Sequence, residues 1–585
     1  MSQRLAEEAP VVAPIASPRG RFPVRIWRGV STWLLRRWVG FTLWLHGQWV
    51  ALGAPVTGKK VHGTLLISGI AVVMGFFASC WAIRTGMNMA YYDAQLHLTI
   101  ARRIVDSPSP GFQQLGTVWL PAPHLLLLPL TLNLWLWHTG WAGAILGIAC
   151  LAASSAAIYR IAARVRLGRA GRITAVAFFL CNPSILYIHT TALTEPVLMA
   201  TMLATFAGLA SWVTSKRRFS GGEVAVFIGL PAAIGVLTRY EAWAMAFGAS
   251  LFMLWASWRK WGDIKYGIRM TLSFLALPFV AVLWWLSYNW TIYGDALEFA
   301  TSDYSAGAQQ HDLYLRGMLP TQGNLGLSVY TFGWAEIETA GVVLMVAAVL
   351  GAGVLVLKRG IAIDAMLVWL MGITLPFNIV MLFLGQTVIM NDHTLPIGWF
   401  NNRYALSTLP FLALLAAFFV DYVRNAERLN RYPRGRLVII GAVAAALLLQ
   451  NAWWLQDVGG RSGVIAEAAE RDLYSGDERA ADRYIADNYD GGHLLMDEVQ
   501  LRSAPIIGLP LTEVYNRSAG KLYEQSLLEP SKYVEWIYIT TDKSNAGLDL
   551  QDAVARAMAE HPERFTNYQE VFQNATRSVY RRVSQ

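Results

Sequence analysis

The run "TLLISGIAVVMGFFASCWAI", residues 64–83, carries no charge, and within ten residues of its end comes "YYDAQLH", residues 91–97. About twenty apolar residues in a helix are enough to cross the hydrocarbon core of a bilayer. The lone carboxylate Asp93, with His97 four residues later, is therefore expected close to a membrane surface. Two interpretations are open at this point. Asp93 starts a surface helix, where the helix dipole favours an acid, or it is a catalytic base.

The composition indicates a polytopic membrane protein. The chain has 585 residues, of which 55% are hydrophobic and only 15% charged, whereas soluble domains carry nearer a quarter charged residues. The net charge of +9 does not indicate a nucleic-acid surface, because the basic residues form short clusters between apolar runs. The three cysteines all fall in apolar runs, which predicts neither a disulfide framework nor a metal site.

The predicted fold class is an α-helical polytopic membrane protein with a small C-terminal α/β domain outside the membrane. Apolar runs of spanning length predict eleven transmembrane helices. They lie at residues 64–83, 142–163, 172–191, 196–215, 222–240, 242–258, 270–290, 338–357, 362–386, 404–423 and 436–455.

The basic clusters between these runs predict the orientation. Every cluster falls on the side of the basic N-terminus, which the positive-inside rule assigns to the cytoplasm. We therefore expect an inner (plasma) membrane protein with a cytoplasmic N-terminus and an extracytoplasmic C-terminal domain. The clusters lie within residues 160–172, 216–218, 259–269, 358–359 and 424–436.

The domain organisation follows from the same pattern. We predict a disordered N-terminus (1–23), an interfacial amphipathic helix (24–55), a transmembrane domain (56–455) and an extracytoplasmic α/β domain (456–585). The transmembrane domain includes two long outer loops, 84–141 and 291–337. Within the first, residues 118–137 are apolar but interrupted by Pro121, Pro123 and Pro129, which indicates a half-buried, non-helical segment.

Four stretches of the C-terminal domain predict its secondary-structure elements. "ERAADRYIADNYD" (478–490) predicts a helix, and "GHLLMDE" (492–498) and "EWIYITTD" (535–542) predict buried strands. "EVFQNATRSVYRRV" (570–583) predicts a hairpin.

One nucleotide-binding pattern is approached but not completed. "GAPVTGKK" (53–60) matches a phosphate-binding loop up to Lys59, but Lys60 stands where Ser or Thr is required. No strand precedes it either. We therefore do not expect a nucleotide site there.

Ionisable residues recur in the predicted outer turns of a chain that is otherwise poor in charge. Such groups at membrane depth are costly and usually mark a site. Structural alternatives remain open: Glu195 starts a helix, Arg239 and Glu241 form a structural ion pair, or Arg403 reaches lipid phosphate. The residues are Asp93, His97, Glu195, Arg239, Glu241, Asp392, His393 and Arg403.

These motifs resemble those of the multi-spanning C-type glycosyltransferases, which include protein O-mannosyltransferases and lipid A aminoarabinose transferases. The resemblance covers residues 64–420. It is carried by the acid of "YYDAQLH" (Asp93), the acid-proline turn "TEP" (Glu195), the basic residue of "GVLTRYE" (Arg239), the late step Arg403-Tyr404 and the proline-rich "WLPAPHLLLLP". Many members have paired acids where this chain has Asp93-Ala94, so the resemblance does not extend to a bound divalent metal.

The resemblance implies an inverting hexosyl or pentosyl transferase that uses a polyprenyl-phosphate sugar and no cofactor. Asp93 is the expected general base, and Arg403 and Arg239 are expected to meet the donor phosphate. His97, Glu195, Glu241 and Tyr404 complete the expected substrate-binding set. The acceptor is a hydroxyl of a cell-envelope glycan, lipid or protein. Membrane lipid is an expected partner and nucleic acid is not.

Two other classes compete with an enzyme. A transporter or flippase of lipid-linked sugars should carry charges along a path through the bilayer, but the predicted spans contain almost none. An adhesion protein that displays residues 456–585 leaves the charged outer turns unexplained.

Overall fold

A computed structural model describes residues 22–56, 58, 60–302, 305–426, 432–456, 462–541 and 552–583. The chain divides into two compact units at Leu52. The described part of the first unit contains one helix, α1 (Phe22–Val50). The predicted interfacial segment 24–55 is thus helical as far as Val50, and its place at a membrane surface stays a prediction. The predicted disordered N-terminus lies, up to residue 21, outside the described residues.

The second unit begins with a helical bundle. Its first helices run from the first apolar segment to the middle of the chain. They are α2 (Thr64–Thr85), α3 (Tyr92–Arg103), α4 (Ala122–Thr131), α5 (Leu134–His138), α6 (Trp141–Arg164), α7 (Arg169–Leu180), α8 (Pro183–Ile188), α9 (Glu195–Thr214), α10 (Gly221–Val224), α11 (Leu230–Val236), α12 (Glu241–Trp261) and α13 (Ile264–Tyr293). A π-helical turn, Ala225–Gly229, joins α10 to α11.

The later helices complete the bundle and lead into the C-terminal domain. They are α14 (Glu298–Thr301), α15 (Ala306–Leu315), α16 (Leu325–Ala340), α17 (Val342–Arg359), α18 (Ile363–Met371), α19 (Thr374–Phe383), α20 (Leu409–Asn425), α21 (Pro433–Trp454), α22 (Gly463–Tyr474) and α23 (Gly476–Asn488). A 3-10 turn, Asn402–Ser407, precedes α20. The predicted outer loop 291–337 is therefore largely helical, because α14 to α16 occupy it.

Among the described residues, seven helical segments are long and apolar enough to cross a membrane, which makes this an integral membrane protein. They are Thr64–Thr85, Trp141–Arg164, Glu195–Thr214, Ile264–Tyr293, Val342–Arg359, Ile363–Phe383 and Pro433–Trp454. Each matches a predicted span. The predicted count of eleven is not confirmed, since the runs at 172–191, 222–240, 242–258 and 404–423 are helical without meeting both conditions.

The interruptions have local causes. The run 172–191 splits into α7 and α8 because Asn182 caps a new helix whose first residue is Pro183. The run 404–423 opens with the 3-10 turn, which leaves α20 only 17 residues.

The proline-rich segment 118–137 is helical, contrary to the prediction of irregular backbone. Pro121 and Pro123 lie at the start of α4, where a proline lacks no helical hydrogen bond, and only Pro129 lies inside the helix. The segment is half-buried as expected: His124 and Leu127 are fully buried, whereas Leu132 is exposed.

Close approaches of backbone hold the bundle together around α6. A Cβ on Gly147 of α6 would lie 1.9 Å from the carbonyl oxygen of His189, so only glycine permits this contact. Gly351 of α17 meets the backbone of α20 in the same way, at 1.7 Å from the Leu415 carbonyl oxygen. The first contact brings the end of α8 against α6, and the second brings α17 against α20.

The C-terminal residues form a five-stranded mixed sheet with the order β2-β1-β3-β5-β4. Its strands are β1 (Leu494–Leu495), β2 (Val514–Tyr515), β3 (Trp536–Thr540), β4 (Tyr568–Gln573) and β5 (Arg577–Arg582). The short helices α24 (Ala504–Ile507), α25 (Lys521–Leu528), α26 (Pro530–Tyr533) and α27 (Ala553–Glu560) surround it. The predicted helix, two strands and hairpin all occur; β2 was not predicted.

This sheet domain packs against the bundle instead of standing apart from it. Arg103 of α3 forms a 2.6 Å ion pair with Glu498. Asp106 accepts hydrogen bonds from the backbone amides of Leu511 and Thr512. These bonds fix the domain against the C-terminal end of α3.

The predicted orientation is tested with topology reporters. A reporter fused after Ser215, which follows α9, should read cytoplasmic, because the basic cluster 216–218 and the other basic clusters between spans share that side. A reporter fused after Gln585 should read extracytoplasmic. Equal readings at both positions would show that the assignment of sides is wrong.

Candidate active site

Five charged side chains of alternating sign lie in contact at one end of the bundle. We call Asp93, Arg403, Glu195, Arg239 and Glu241, in this order, the charge ladder. Three of them stand in the first turn of a helix: Asp93 in α3, Glu195 in α9 and Glu241 in α12. Arg403 comes from the 3-10 turn 402–407, and Arg239 from the turn before α12. The sequence therefore predicted all five members, although they span 310 positions.

Each arginine of the charge ladder bridges two acids. Arg403 donates from Nη2 to Asp93 Oδ2, and its Nε lies 3.1 Å from Glu195 Oε1. Arg239 Nη1 lies 3.1 Å from the same Glu195 oxygen, and its Nη2 lies 2.8 Å from Glu241 Oε1. Glu195 Oε1 is thus shared by both guanidinium groups.

Exposure differs sharply along the charge ladder. The side chains of Glu195, Arg403 and Glu241 are 3%, 5% and 6% exposed, and that of Arg239 is 17% exposed. Asp93 is 35% exposed, and no hydrogen bond of its Oδ1 is described. The charge ladder therefore opens to solvent mainly at Asp93.

Aromatic rings line the arginines. The Arg239 guanidinium carbon lies 4.5 Å from the centroid of the Tyr404 ring, and that of Arg403 lies 4.9 Å from the Tyr91 ring. A buried cation over a ring face gains electrostatic stabilisation from the ring quadrupole. Tyr404, predicted as a binding residue, is therefore part of the arginine environment.

The electrostatics keep Asp93 ionised. Burial acts to raise the pKa of Asp93, but the positive charge and hydrogen bond of Arg403 outweigh it and hold that pKa below its ordinary value. A carboxylate that is ionised at neutral pH is able to accept a proton.

His97 pairs with a second buried histidine. Its Nδ1 lies 2.9 Å from His124 Nε2, and no hydrogen bond to Asp93 is described. Burial lowers the pKa of His97 to about 4, so the ring is neutral at physiological pH. The ring stands edge-on to Trp119, 4.9 Å between centroids. This neutral, fully buried pair of histidines backs the Asp93 end of the charge ladder.

The C-terminal domain supplies two further charges. Glu467 of α22 is fully buried and accepts hydrogen bonds from the amides of Asn401 and Asn402, at 3.0 and 3.1 Å. Arg471 lies one turn later: its Nε is 3.5 Å from Glu467 Oε1, and its guanidinium carbon is 5.4 Å from the centroid of the Tyr91 ring. Glu467 thereby fixes the backbone immediately before Arg403.

The structural alternatives raised by the sequence can now be weighed. Asp93 does lie in the first turn of α3, as the structural interpretation held, and it also pairs with Arg403. Glu195 does start a helix, as that interpretation held, and it also joins the charge ladder. Arg239 and Glu241 are an ion pair, but one that continues to Glu195. Arg403 is almost completely buried between two acids, so it does not extend towards lipid.

Asp392 and His393 lie outside the charge ladder. His393 stacks on Trp334, 3.7 Å between centroids, and its Nε2 lies 3.6 Å from Glu338. Within the part of the chain that the structure describes, Glu338, Asp392 and His393 are the only group whose ligand atoms lie close enough together, within 4.8 Å, to hold a metal ion. Burial raises the pKa of Glu338 to about 9, so this acid binds its proton tightly.

The sequence did not point to His124, Glu467 or Arg471 as site residues. His124 was visible only as a polar residue inside the apolar segment 118–137. Glu467 and Arg471 have the i, i+4 spacing of a common surface pair on a helix. Their burial depends on how α22 docks, which spacing along the chain does not encode.

The comparisons with known proteins bear on the fold. No model of a known protein family matches the sequence, and no curated protein matches it significantly. The structure is similar to that of ArnT from Cupriavidus metallidurans bound to undecaprenyl phosphate. The TM-score is 0.54 at 14% identity, over 89% of this chain and 98% of ArnT.

The archaeal oligosaccharyltransferase AglB from Archaeoglobus fulgidus, in complex with an inhibitory peptide and a dolichol-phosphate, gives a TM-score of 0.46 at 12% identity. That match covers 87% of this chain and 72% of AglB. The similarity to ArnT extends over nearly the whole of both chains. The fold of this protein is therefore that of the C-type glycosyltransferases, as the motifs predicted.

Proposed function

We propose that this protein is a membrane glycosyltransferase that moves a monosaccharide from a polyprenyl-phosphate donor to an acceptor hydroxyl on the extracytoplasmic face of the inner membrane. The observation that carries the proposal is the charge ladder, in which two arginines lie beside one partly exposed carboxylate. Such an arrangement suits a reaction that releases a phosphate and removes a proton. The fold shared with ArnT, a protein solved with undecaprenyl phosphate bound, supports the choice of donor.

Asp93 is the proposed general base. Of the three acids of the charge ladder it is the most exposed, at 35% against 3% for Glu195, so an acceptor hydroxyl reaches it most easily. Its Oδ2 meets Arg403, which leaves Oδ1 for the acceptor proton. The neutral His97–His124 pair adds no positive charge that would weaken this base further.

Arg403 and Arg239 are the proposed phosphate ligands. A phosphate needs charge-assisted hydrogen bonds to the charge that develops as the sugar leaves. In the free protein the acids of the charge ladder supply the counter-charge that keeps both arginines in place. When the negative donor phosphate binds beside Arg403, it partly neutralises the positive charge of that arginine. Arg403 then stabilises the Asp93 carboxylate less, and Asp93 becomes a stronger base. Donor binding thus activates the base.

Glu195 and Glu241 are proposed to position the sugar and the arginines, with Tyr404 under both guanidinium groups. Glu195 Oε2 is buried and has no described hydrogen-bond partner, so it is able to accept a bond from a sugar hydroxyl. Because Asp93 is the only acid of the charge ladder with substantial exposure, we propose no second carboxylate as nucleophile. Direct displacement inverts the anomeric carbon. The acceptor belongs to a cell-envelope glycan, lipid or protein.

A lipid-linked sugar transporter is the alternative from another class. The charge ladder lies at the first turns of α3, α9 and α12. It is therefore gathered at one end of the bundle and does not form a path through it. This arrangement favours chemistry at one membrane surface.

Asp93→Asn tests the base directly. Asn keeps the shape of the side chain but accepts no proton, so transfer should slow at least about 100-fold while the protein still folds and binds donor. The measurement is single-turnover transfer from a synthetic polyprenyl-phosphate sugar, with donor binding measured in parallel. Asp392→Asn, which changes an exposed acid outside the charge ladder, is the matched control and should retain normal rates. Normal transfer by Asp93→Asn would remove the base from this mechanism.

Arg403→Lys tests the phosphate contact. A lysine keeps the charge but cannot bridge two acids and a phosphate as a planar guanidinium does, so we expect at least about tenfold loss of kcat/KM with a raised donor KM. Arg239→Ala should act in the same direction. Arg102→Lys alters another buried arginine, paired with Asp106 at 2.6 Å, and controls for loss of stability. If both charge-ladder variants turn over normally with an unchanged donor KM, the arginines do not bind phosphate.

We propose that transfer requires no divalent metal, because the two arginines already supply positive charge at the leaving phosphate. Incubation with EDTA followed by desalting should leave the transfer rate unchanged within about twofold. A loss of activity that Mn²⁺ or Mg²⁺ restores would contradict this, and Glu338→Gln would then show whether the Glu338, Asp392 and His393 group holds the ion.

A further inference from the structure

A second polar site lies at the opposite end of the bundle from the charge ladder. A cavity of about 640 Å³ opens between the last turns of α6 and α9 and the π-helical turn 225–229. Glu195 and Thr214 are the two ends of α9. At 1.5 Å per residue the cavity extends along α9 from Ala204, about 14 Å from Glu195, to its basic end at Thr214, about 28 Å from Glu195 along the helix axis. That distance is close to the thickness of a bilayer core.

The cavity is strongly positive. Arg160, Arg164, Lys216 and Arg217 line it together with a single acid, Glu223, which leaves a net charge of +3 (four cations less one anion). Glu223 is already paired with Arg217, which donates two hydrogen bonds to its carboxylate. No carboxylate among the described residues pairs with Arg160 or Arg164.

Arg164 is the strongest evidence that the cavity suits an anion. Its side chain is buried, with the residue only 8% exposed. Its Nη2 donates to the carbonyl oxygen of Gly58 at 2.8 Å, and its Nε is buried without a hydrogen-bond partner. A buried guanidinium with neither a counter-charge nor a full set of acceptors is costly. An anion in the cavity would remove that cost.

The walls suit a hydrocarbon chain. Away from the basic residues the lining is made of small apolar residues, Ala153, Ala156, Ala157, Ala204, Ala207 and Gly208. Phe227 of the π-helical turn lines the rim and is 58% exposed, beside Val226, which is also exposed. A π-helical turn inside an α-helix often marks a functional position. The cavity is thus basic at one end and apolar along its length.

The loop "GAPVTGKK" contributes to this cavity through Val56 and Gly58. A nucleotide loop binds phosphate with its backbone amides. Here the Gly58 carbonyl accepts from Arg164, and the Ala54 carbonyl accepts from Arg172 at 2.9 Å. The described part of the loop therefore presents carbonyl oxygens that orient these two arginines.

We propose that this cavity binds one anionic phospholipid from the adjacent leaflet. The lipid phosphate lies between Arg160 and Arg164, and an acyl chain lies along the alanine-lined wall. Basic pockets between membrane helices on the cytoplasmic side are suited to anionic head groups. This inference does not depend on the proposed transfer reaction, because the basic end of the cavity is about 28 Å from the charge ladder and shares no residue with it.

The test measures lipid retained by the purified full-length protein. After exchange into mixed micelles with equal amounts of phosphatidylglycerol and phosphatidylcholine, native mass spectrometry should show one phosphatidylglycerol retained selectively. Arg160→Gln with Arg164→Gln should reduce that retention at least about tenfold, since two charge-assisted contacts are lost. Arg160→Gln alone, which removes no described contact within the protein, should reduce it in the same direction if the double variant folds poorly.

Two controls sharpen the result. Arg259→Gln changes an exposed basic residue at the same end of the bundle, outside the cavity, and should retain phosphatidylglycerol normally. Ala156→Phe narrows the apolar wall and should abolish lipid retention while inorganic phosphate still protects the protein against thermal unfolding. Equal retention of both lipids by the unmodified protein, unchanged retention in the arginine variants, or an unmodified protein that binds inorganic phosphate but retains no lipid would each overturn the proposal.

Discussion

The arrangement of this protein depends on the cost of burying charge. An isolated ionised side chain in a low-dielectric interior is unfavourable by several kcal/mol, which only well-placed opposite charges offset. The charge ladder meets this condition by alternation, since each arginine bridges two acids and Glu195 Oε1 serves both. The constraint fixes the starts of α3, α9 and α12 against one another and against the turn that carries Arg403. Only Asp93, at one end, keeps appreciable access to solvent.

The C-terminal domain takes part in the same constraint. Glu467 reaches from α22 to the amides of Asn401 and Asn402 and is completely buried there. The domain is held in place by separate contacts to α3, including the Arg103–Glu498 pair. It therefore positions Arg403 through the backbone of Asn401 and Asn402. The domain that the sequence predicts as a separate extracytoplasmic α/β unit is thereby a structural part of the candidate active site.

Much of this could be predicted from sequence because the signals are local. Apolar runs of spanning length placed helices at all eleven positions, and alternating patterns placed the helix and hairpin of the C-terminal domain. The five members of the charge ladder could be identified because charge is rare near the membrane-facing segments. Pro121 and Pro123 led to the wrong prediction of a non-helical segment at 118–137. Prolines break the interior of a helix, but these two lie at the start of α4, where proline is well tolerated. His124, Glu467 and Arg471 could not be found, because their burial arises from docking between distant segments.

Group transfer at the charge ladder is tested most directly by following both halves of a labelled donor. Purified protein in proteoliposomes is given a synthetic polyprenyl-phosphate sugar labelled in the sugar and in the phosphate, together with membrane-fraction acceptors. We expect polyprenyl phosphate to be released in amounts equal to the sugar that becomes attached to the acceptor. Donor that crosses the bilayer with its sugar–phosphate bond intact, and without free polyprenyl phosphate, would contradict the account and favour a transporter.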